Sequence, residues 1–405
     1  MSENGNGLPP DQEGSDIFLH LFGRTDVGQI REHNEDNFLV ANLTAQRRSL
    51  LEEDRRQVVG RRGTVLGVCD GMGGAAAGEV ASQLAVDIIY EKLLEGDPPA
   101  SRDDLARRLV EAIEEAGVRI YNEARADRTR RGMGTTATIA ALVDARMFVG
   151  QVGDSRAYVL RNGDLCQVTR DQSLVNQLIE AGQLTEEEAE TFEHNNIILQ
   201  ALGTAETVQV DLTYVDVCRG DRLLICSDGL SGMIRAAEIR EVLAGVEDPL
   251  EACKQLTERA NLAGGHDNIT VIVAHLDGEG LHEQSAVEPV AYRKYALPEL
   301  PASMQEPLSA PLSVQRVETG PPSEEAQRES RQLRVGHTMV GVRSPLDADV
   351  PSARTPPAAS LPPPAYDPMA DEVEIPTTGL PPRVVGLLIV GSLLLAAVLG
   401  YWLLR

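Results

Sequence analysis

Aromatic residues are scarce in this 405-residue chain, which has one Trp, five Phe and eight Tyr. That argues against a platform on which single-stranded bases would stack. Basic residues are outnumbered, 37 Lys and Arg against 62 Asp and Glu, for a formal net charge of −25. A duplex-binding protein needs a basic face that neutralises phosphates, so no nucleic-acid partner is expected. Cysteine is sparse and unpaired in pattern: Cys69, Cys166, Cys218, Cys226 and Cys253 include no C-x-x-C pair. Neither a disulfide framework nor a zinc site is expected, and a reducing compartment is. Seven histidines without an H-x-x-x-H pair also disfavour zinc. The opening MSENGNGLPPDQEGSD has no apolar run, so it reads as a disordered lead over residues 1–16 rather than a secretory signal.

What is present falls into three regions. Residues 17–277 look globular, with strand-like runs at Thr64–Cys69, Thr136–Val143, Met147–Val152, Arg156–Leu160, Arg222–Cys226 and Ile269–His275. Two helical patterns lie between the early strands. One, Gly78 to Leu94, puts Ala81, Leu84, Ala85, Ile88 and Ile89 on one face; the other, Ser101 to Tyr121, does the same with Leu105, Leu109, Ile113 and Val118 behind a capping Ser-Arg-Asp-Asp. Paired helices without strict βαβ alternation favour antiparallel sheets with helices layered outside. Residues 278–382 hold 18 of the 23 prolines and read as an acidic, disordered linker. Residues 384–404 are 21 uncharged residues, about 31 Å as a helix, bracketed by Arg383 and Arg405, with Tyr401 and Trp402 suited to an interface. They read as a transmembrane anchor, and Ser392, Ala396 and Gly400 offer a small-residue face for weak dimerisation. Without a signal sequence, the expected location is a single-pass membrane protein with its folded part in the cytoplasm.

The chemistry is carried by acidic residues at strand ends. Arg31-Glu32-His33-Asn34-Glu35-Asp36 precedes an apolar run, and Val65–Cys69 runs into Asp70-Gly71-Met72-Gly73-Gly74. Gly153-Asp154-Ser155-Arg156, Ser227-Asp228-Gly229-Leu230 and His266-Asp267-Asn268 repeat the theme. Each alone is most simply a turn or solvated loop. Together, antiparallel sheets could gather the carboxylates at one edge, where they would repel one another unless divalent cations were present. Oxygen ligands, including the Gly71 carbonyl, favour Mg²⁺ or Mn²⁺ over zinc. Two such ions about 4 Å apart can hold a bridging hydroxide that attacks phosphorus in line, and Arg31 is the candidate to hold the phosphoryl group.

The motifs Thr25-Asp-Val-Gly28, Arg31-x-x-Asn34-Glu35-Asp36, Asp70-Gly-Met-Gly-Gly74, Gly134-Thr-Thr136, Gly153-Asp-Ser-Arg156, Ser227-Asp-Gly-Leu230 and Asp267-Asn268 occur in that order. Over residues 17–277 this closely resembles the bacterial metal-dependent protein serine/threonine phosphatases of the PPM, or type 2C, family. The resemblance implies an α+β fold, a four-layer αββα sandwich of two antiparallel sheets flanked by helix pairs. It implies two Mn²⁺ or Mg²⁺ ions bridged by Asp70, with the Gly71 carbonyl, Asp228 and Asp267 as further ligands. Glu35 and Asp36 would act close to the ions, partly through water, Asp154 would help hold a third, weaker metal, and Arg31 would grip the substrate phosphate. Met72 stands where many members carry a His thought to protonate the leaving group. A metal-bound water is then the expected donor, with His33 and His266 as other candidates. Gln172 replaces a common His in Thr169-Arg-Asp-Gln-Ser173, and the stretch from Leu174 to Ile198 falls where relatives have a mobile flap.

The expected function is a membrane-tethered phosphoserine/phosphothreonine protein phosphatase that opposes Ser/Thr kinases. The alternatives are an inactive binding module with the same fold, or a hydrolase of small phosphate esters. Thr338 is an exposed candidate phosphosite. Two arginine clusters, Arg47 to Arg62 and Arg125 to Arg131, either flank a bound phosphopeptide or are solvated loops.

Overall fold

The computed structural model describes residues 16–73, 77–189, 192, 196–284 and 289–298. The chain divides into Met1–Leu312 and Ser313–Arg405, and the second unit lies wholly outside the described residues. The expected anchor at 384–404, its flanking Arg383, Tyr401 and Trp402, the Ser392/Ala396/Gly400 face and Thr338 therefore lie outside them too. Among the described residues no helix is long and apolar enough to cross a membrane.

Two six-stranded sheets make the centre of the first unit. The first runs in the order Asp164–Gln167, Arg156–Arg161, Arg222–Cys226, Ile269–Asp277, Phe18–Asp26, Arg56–Val58. The second runs Asp211–Asp216, Arg146–Val152, Ala137–Val143, Thr64–Cys69, Asn37–Asn42, Arg47–Arg48. Every neighbouring pair in both is antiparallel. The helices Ala77–Leu94 and Arg102–Ala126 cover the second sheet, and Ala236–Gly245 and Pro249–Leu262 cover the first.

Strand periodicity explains why these runs are apolar throughout. Successive side chains point to opposite faces, so a strand covered on both faces is buried at every position. In Thr64–Cys69, Leu66 and Val68 face the inter-sheet core while Val65 and Cys69 face the first helix pair. In Arg222–Cys226, Leu223 and Ile225 face the other sheet while Leu224 and Cys226 face the second helix pair. Three apolar layers thus hold four structural layers together. Phe148 sits fully buried under the first helix pair, where truncation to Ala would cost about 3–5 kcal/mol.

The helix boundaries follow their caps. Ser101 Oγ accepts the Asp104 amide at 3.1 Å to start Arg102–Ala126, five residues longer than the pattern ending at Tyr121. Asp248 Oδ1 accepts the Leu250 amide at 3.2 Å, with Pro249 preset for the first helical position. One expected core residue is misplaced: Val118 is exposed, because Ala116, Gly117 and Ile120 occupy the buried stripe of that turn.

The expected boundary at 277 also shifts. Residues 289–298 return to the edge strand Asp211–Asp216, where Tyr214 N donates to Arg293 O at 3.1 Å and Tyr295 N to Leu212 O at 2.7 Å. Tyr295 stacks edge-on against Phe148 and Tyr214 and bonds Asp103 through its hydroxyl. The segment covers an open sheet edge, which would otherwise template pairing with another chain.

Candidate metal centre

Antiparallel pairing brings the five acidic turns to one end of the sandwich. Phe18–Asp26 pairs with Ile269–Asp277 over nine rows, placing the turn after Asp26 beside the one before Ile269. Arg156 lies opposite Cys226, so Asp154 and Asp228 share an edge. Asn37 lies opposite Cys69, which sets Asp36 beside Asp70. Two glycines permit the final approach. A Cβ on Gly229 would lie 2.0 Å from the Asn268 carbonyl, and one on Gly71 would lie 2.4 Å from the Glu35 carbonyl. Only the bare backbone lets these turns touch.

Asp36 is the most tightly built member. It is 4 % exposed, and its Oδ2 accepts Thr270 Oγ1 at 2.7 Å and Ser227 Oγ at 2.8 Å. The Thr270 proton is committed to Asp36, so the 2.7 Å contact between Thr25 and Thr270 hydroxyls is donated by Thr25, which accepts from Asn34 Nδ2 at 2.8 Å. Asn268 stitches the rest of the loop: its Oδ1 accepts the Glu35 amide at 2.8 Å, and its Nδ2 donates to the Val27 and His33 carbonyls at 3.0 Å. Glu35 leans on Gly78 at the start of a helix, and its carbonyl accepts Ser82 Oγ at 2.5 Å. Asp70 is fixed through its backbone, whose amide donates to Thr136 Oγ1 at 3.0 Å and whose carbonyl accepts the Thr136 amide at 2.8 Å.

The carboxyls crowd one another, and the neighbouring Arg31 and Arg156 offset only part of the crowding at Asp228 and Asp154. Burial pushes Asp36 up to about 7, against the pull of its two hydroxyl donors and with a further push from Asp228 and Asp267. Burial, Asp228 and Asp171 bring Asp154 to about 7 as well. Asp70 is raised well above the ordinary carboxylate range by burial and by Asp36, Asp228 and Asp154, and Asp228 is raised by burial and Asp267. The contact between the Asp70 and Asp228 side chains raises Asp70 further and pulls Asp228 down. Asp36 Oδ1, Asp154 Oδ1 and Asp228 Oδ1 are buried with no hydrogen-bond partner.

Such orphaned oxygens are costly, and a divalent ion is the natural partner for a donor set made only of oxygen. The residues therefore fit Mg²⁺ or Mn²⁺. Among the described residues no three acidic, His or Cys side chains close around one point. An ion held there would take water in several of its coordination positions, as Mg²⁺ commonly does.

The family model for protein phosphatase 2C matches residues 44–285. The chain belongs to that family. The serine/threonine phosphatase Stp of Listeria innocua is 36% identical to this phosphatase 2C chain over 255 residues, 63% of this chain and 95% of the relative. The crystal structure of the Mycobacterium tuberculosis serine/threonine phosphatase PstP/Ppp matches with a TM-score of 0.55 and 35% identity, covering 64% of this chain and 99% of that one. The PstP catalytic domain in complex with two manganese ions matches with a TM-score of 0.54 and 33% identity, over 64% of this chain and 99% of that one. Arg31 and Asp36 lie upstream of the family match, yet their turn follows a strand paired along its whole length into the first sheet.

The structure thus brings Asp36, Asp70, Asp154, Asp228 and Asp267 of this phosphatase together, with Glu35 and Gly71 at their margin. Arg31 joins them by donating Nη2 to Asp267 Oδ2 at 2.7 Å, with its side chain 47 % exposed. Burial disfavours its charge, but Asp267, Glu35 and Asp70 outweigh that and raise its pKa. His33 and His266 are exposed on the surrounding loops, and Gly74 falls outside the described residues.

Sequence reasoning missed Ser227, Thr270, Thr136 and Asn268 as supports. The available signal was a hydroxyl at the end of an otherwise apolar strand, as in Ile269-Thr270-Val271. Gln172 has a positioning role: its Oε1 accepts the Gly153 amide at 2.9 Å, and its own amide donates to the Gly153 carbonyl at 2.9 Å, which fixes the turn carrying Asp154. The first arginine cluster is spent on the fold itself. Arg48 pairs with Asp87, Arg47 with Asp54, Arg55 and Arg56 cover Phe22 and Phe18, and Arg62 donates to the Leu94 and Gly96 carbonyls. Glu186, Glu187 and Glu188 occupy an exposed short helix, while Glu190 lies outside the described residues.

Proposed function

We propose that this chain is a metal-dependent phosphatase of phosphoserine and phosphothreonine in proteins, like the relatives named above. The observation that carries the reading is the gathering of five aspartates with three orphaned buried oxygens under a half-exposed arginine. Asp70, Asp228, Asp267 and the Gly71 carbonyl would hold two Mn²⁺ or Mg²⁺ ions, with Glu35 and Asp36 acting alongside and Asp154 serving a third. Bound ions would supply Lewis-acid stabilisation of the phosphoryl charge and a nucleophile from water.

The chain's own residues supply the rest. The donor series from Asn34 through Thr25 and Thr270 fixes Asp36 in one orientation. Asp267 holds Arg31 by one nitrogen, and the remaining guanidinium donors have no partner among the described residues, so they are available for phosphoryl oxygens. Met72 offers no proton to the leaving alkoxide, so that proton comes from water or from the exposed His33 or His266.

The uncharged run at 384–404 supports a membrane anchor, the unpaired pattern of the cysteines supports an enzyme on the cytoplasmic side, and the long linker suits substrates near that surface, including Ser/Thr kinases. Close packing at Ser392, Ala396 and Gly400 would give a weak dimer. The full chain should release phosphate from a phosphothreonine peptide only with Mn²⁺ or Mg²⁺, and Asp228→Asn should cut this by about 10³-fold. A metal-replete chain inert toward such peptides would refute the reading, and equal activity on sugar phosphates would favour a small-ester hydrolase.

A further inference from the structure

A basic loop borders the centre and has no part in the chemistry described so far. Residues 128–133 follow helix Arg102–Ala126 and lead into the short strand Gly134–Thr135. That strand pairs with Gly71–Met72, Gly71 opposite Thr135 and Met72 opposite Gly134. One step further, a Cβ on Gly73 would come within 2.8 Å of Met133 Cα. The loop is thus laid directly along the peptide that carries Asp70. It is also held firmly. Asp127 Oδ1 accepts the Thr129 amide at 2.8 Å and its hydroxyl at 2.7 Å, Met133 N donates to Arg130 O at 3.1 Å, and Met133 is fully buried.

Four arginines decorate this turn, and they divide cleanly. Arg125 lies over the Tyr121 ring, and Arg130 is neutralised by Glu123 and Asp127. Arg128 and Arg131 are exposed and have no acidic partner among the described residues. In a chain of net charge −25, two unpaired cations on a fixed turn beside the reaction centre form a local attractor for anions. The Arg47–Arg62 cluster offers no such surface, since most of its guanidiniums are already engaged.

We propose that Arg128 and Arg131 form a second anion subsite, which takes a phosphate or carboxylate on the substrate peptide about three residues from the phosphorylated Ser or Thr. The inference rests on the phosphatase reading above. The spacing follows from the register: Arg131 precedes the partner of Gly71 by four residues, roughly 10 Å once the turn is allowed for, or three residues of extended peptide. A dianionic phosphate should be preferred to a carboxylate, because it offers more charge and more acceptors to two guanidiniums.

The test uses the full chain with Mn²⁺ and peptides sharing one phosphothreonine. The third residue, on either side, is phosphoserine, glutamate or alanine, and loss of the phosphothreonine is followed by mass spectrometry. On one side the kcat/KM should fall in the order phosphoserine, glutamate, alanine, with a spread of about tenfold that narrows in 0.5 M salt. Arg128→Ala/Arg131→Ala should compress the spread to about twofold, and Arg128→Lys/Arg131→Lys should retain part of it. Equal rates on all three peptides by the wild type would overturn the subsite alone, as would an undiminished preference in the alanine variant. A wild-type chain inert toward every peptide would overturn the phosphatase reading and the subsite with it.

Discussion

The same two strands carry buried acids at both ends, and the two ends are built on opposite principles. At one end of Arg156–Arg161 and Arg222–Cys226 lie Asp154 and Asp228, crowded by other carboxyls and each with an orphaned oxygen. At the other end Arg161 grips Asp221 with two bonds of 2.9 and 2.6 Å. Asp221 also accepts the Cys218 amide at 2.8 Å and Gln284 Nε2 at 3.1 Å. Asp221 is fully buried and Asp228 only partly so, and the second end is closed by its own countercharge while the first is left open. A closed pair serves the fold. An open cluster stores repulsion that an external cation can relieve, so neither burial nor a single orphaned atom such as Thr64 Oγ1 marks a site; several crowded carboxyls with orphaned oxygens do.

The comparison can be broken most sharply at Asp228. Asp228→Asn should lower metal-dependent peptide dephosphorylation by about 10³-fold, while raising the melting temperature of the metal-free protein by removing one repelling charge. Steady-state rates and thermal unfolding in chelator check both halves, and a less stable metal-free variant would contradict the account of stored repulsion. The opposite result is expected at the closed end. Arg161→Met leaves Asp221 buried and unpaired, so it should destabilise the fold by about 3–5 kcal/mol while manganese affinity, read by titration, stays unchanged. Arg161→Met/Asp221→Leu should recover most of that loss.

Next in size is the support beneath Asp36. Thr270→Val removes one of its two hydroxyl donors and should weaken manganese binding by about 10–100-fold, measured by calorimetric titration.

The smallest effect separates the ends by pH. Asp36 and Asp154 sit near 7 in the fold against an ordinary value of 3.8, so the folded state holds their protons more tightly than the unfolded chain does. Their contribution is fully present at low pH and is lost as pH rises through about 7. The melting temperature of the metal-free protein should fall by about 5 °C between pH 5 and 7.5, and saturating Mn²⁺ should reverse the fall. A metal-free protein that is equally stable across that range would refute the proposed repulsion.

Much of the molecule was legible before folding was considered. Thr64–Cys69 and Arg222–Cys226 keep their expected bounds, because an apolar run ended by a turn has few alternatives to a buried strand. The helix from Ser101 was equally clear at its start, where the cap is local, and less so in its phase, where Val118 proved exposed. The latch at 289–298 was hidden inside proline-rich sequence. Only the exposed edge of a distant strand gives it a reason to order.

The chain order of its motifs alone fixed the family and the residue types available for chemistry, since hard-ion ligands, turn glycines and apolar strands are properties of local sequence. Which carboxyl is held by hydroxyls, which oxygens lack partners and which arginines remain unpaired were decided only by tertiary structure. Those properties belong to pairs of groups far apart in the chain, such as Asp36 with Thr270 and Asp154 with Asp228. A pairwise energy acquires a value only when packing sets the distance and excludes the water between them.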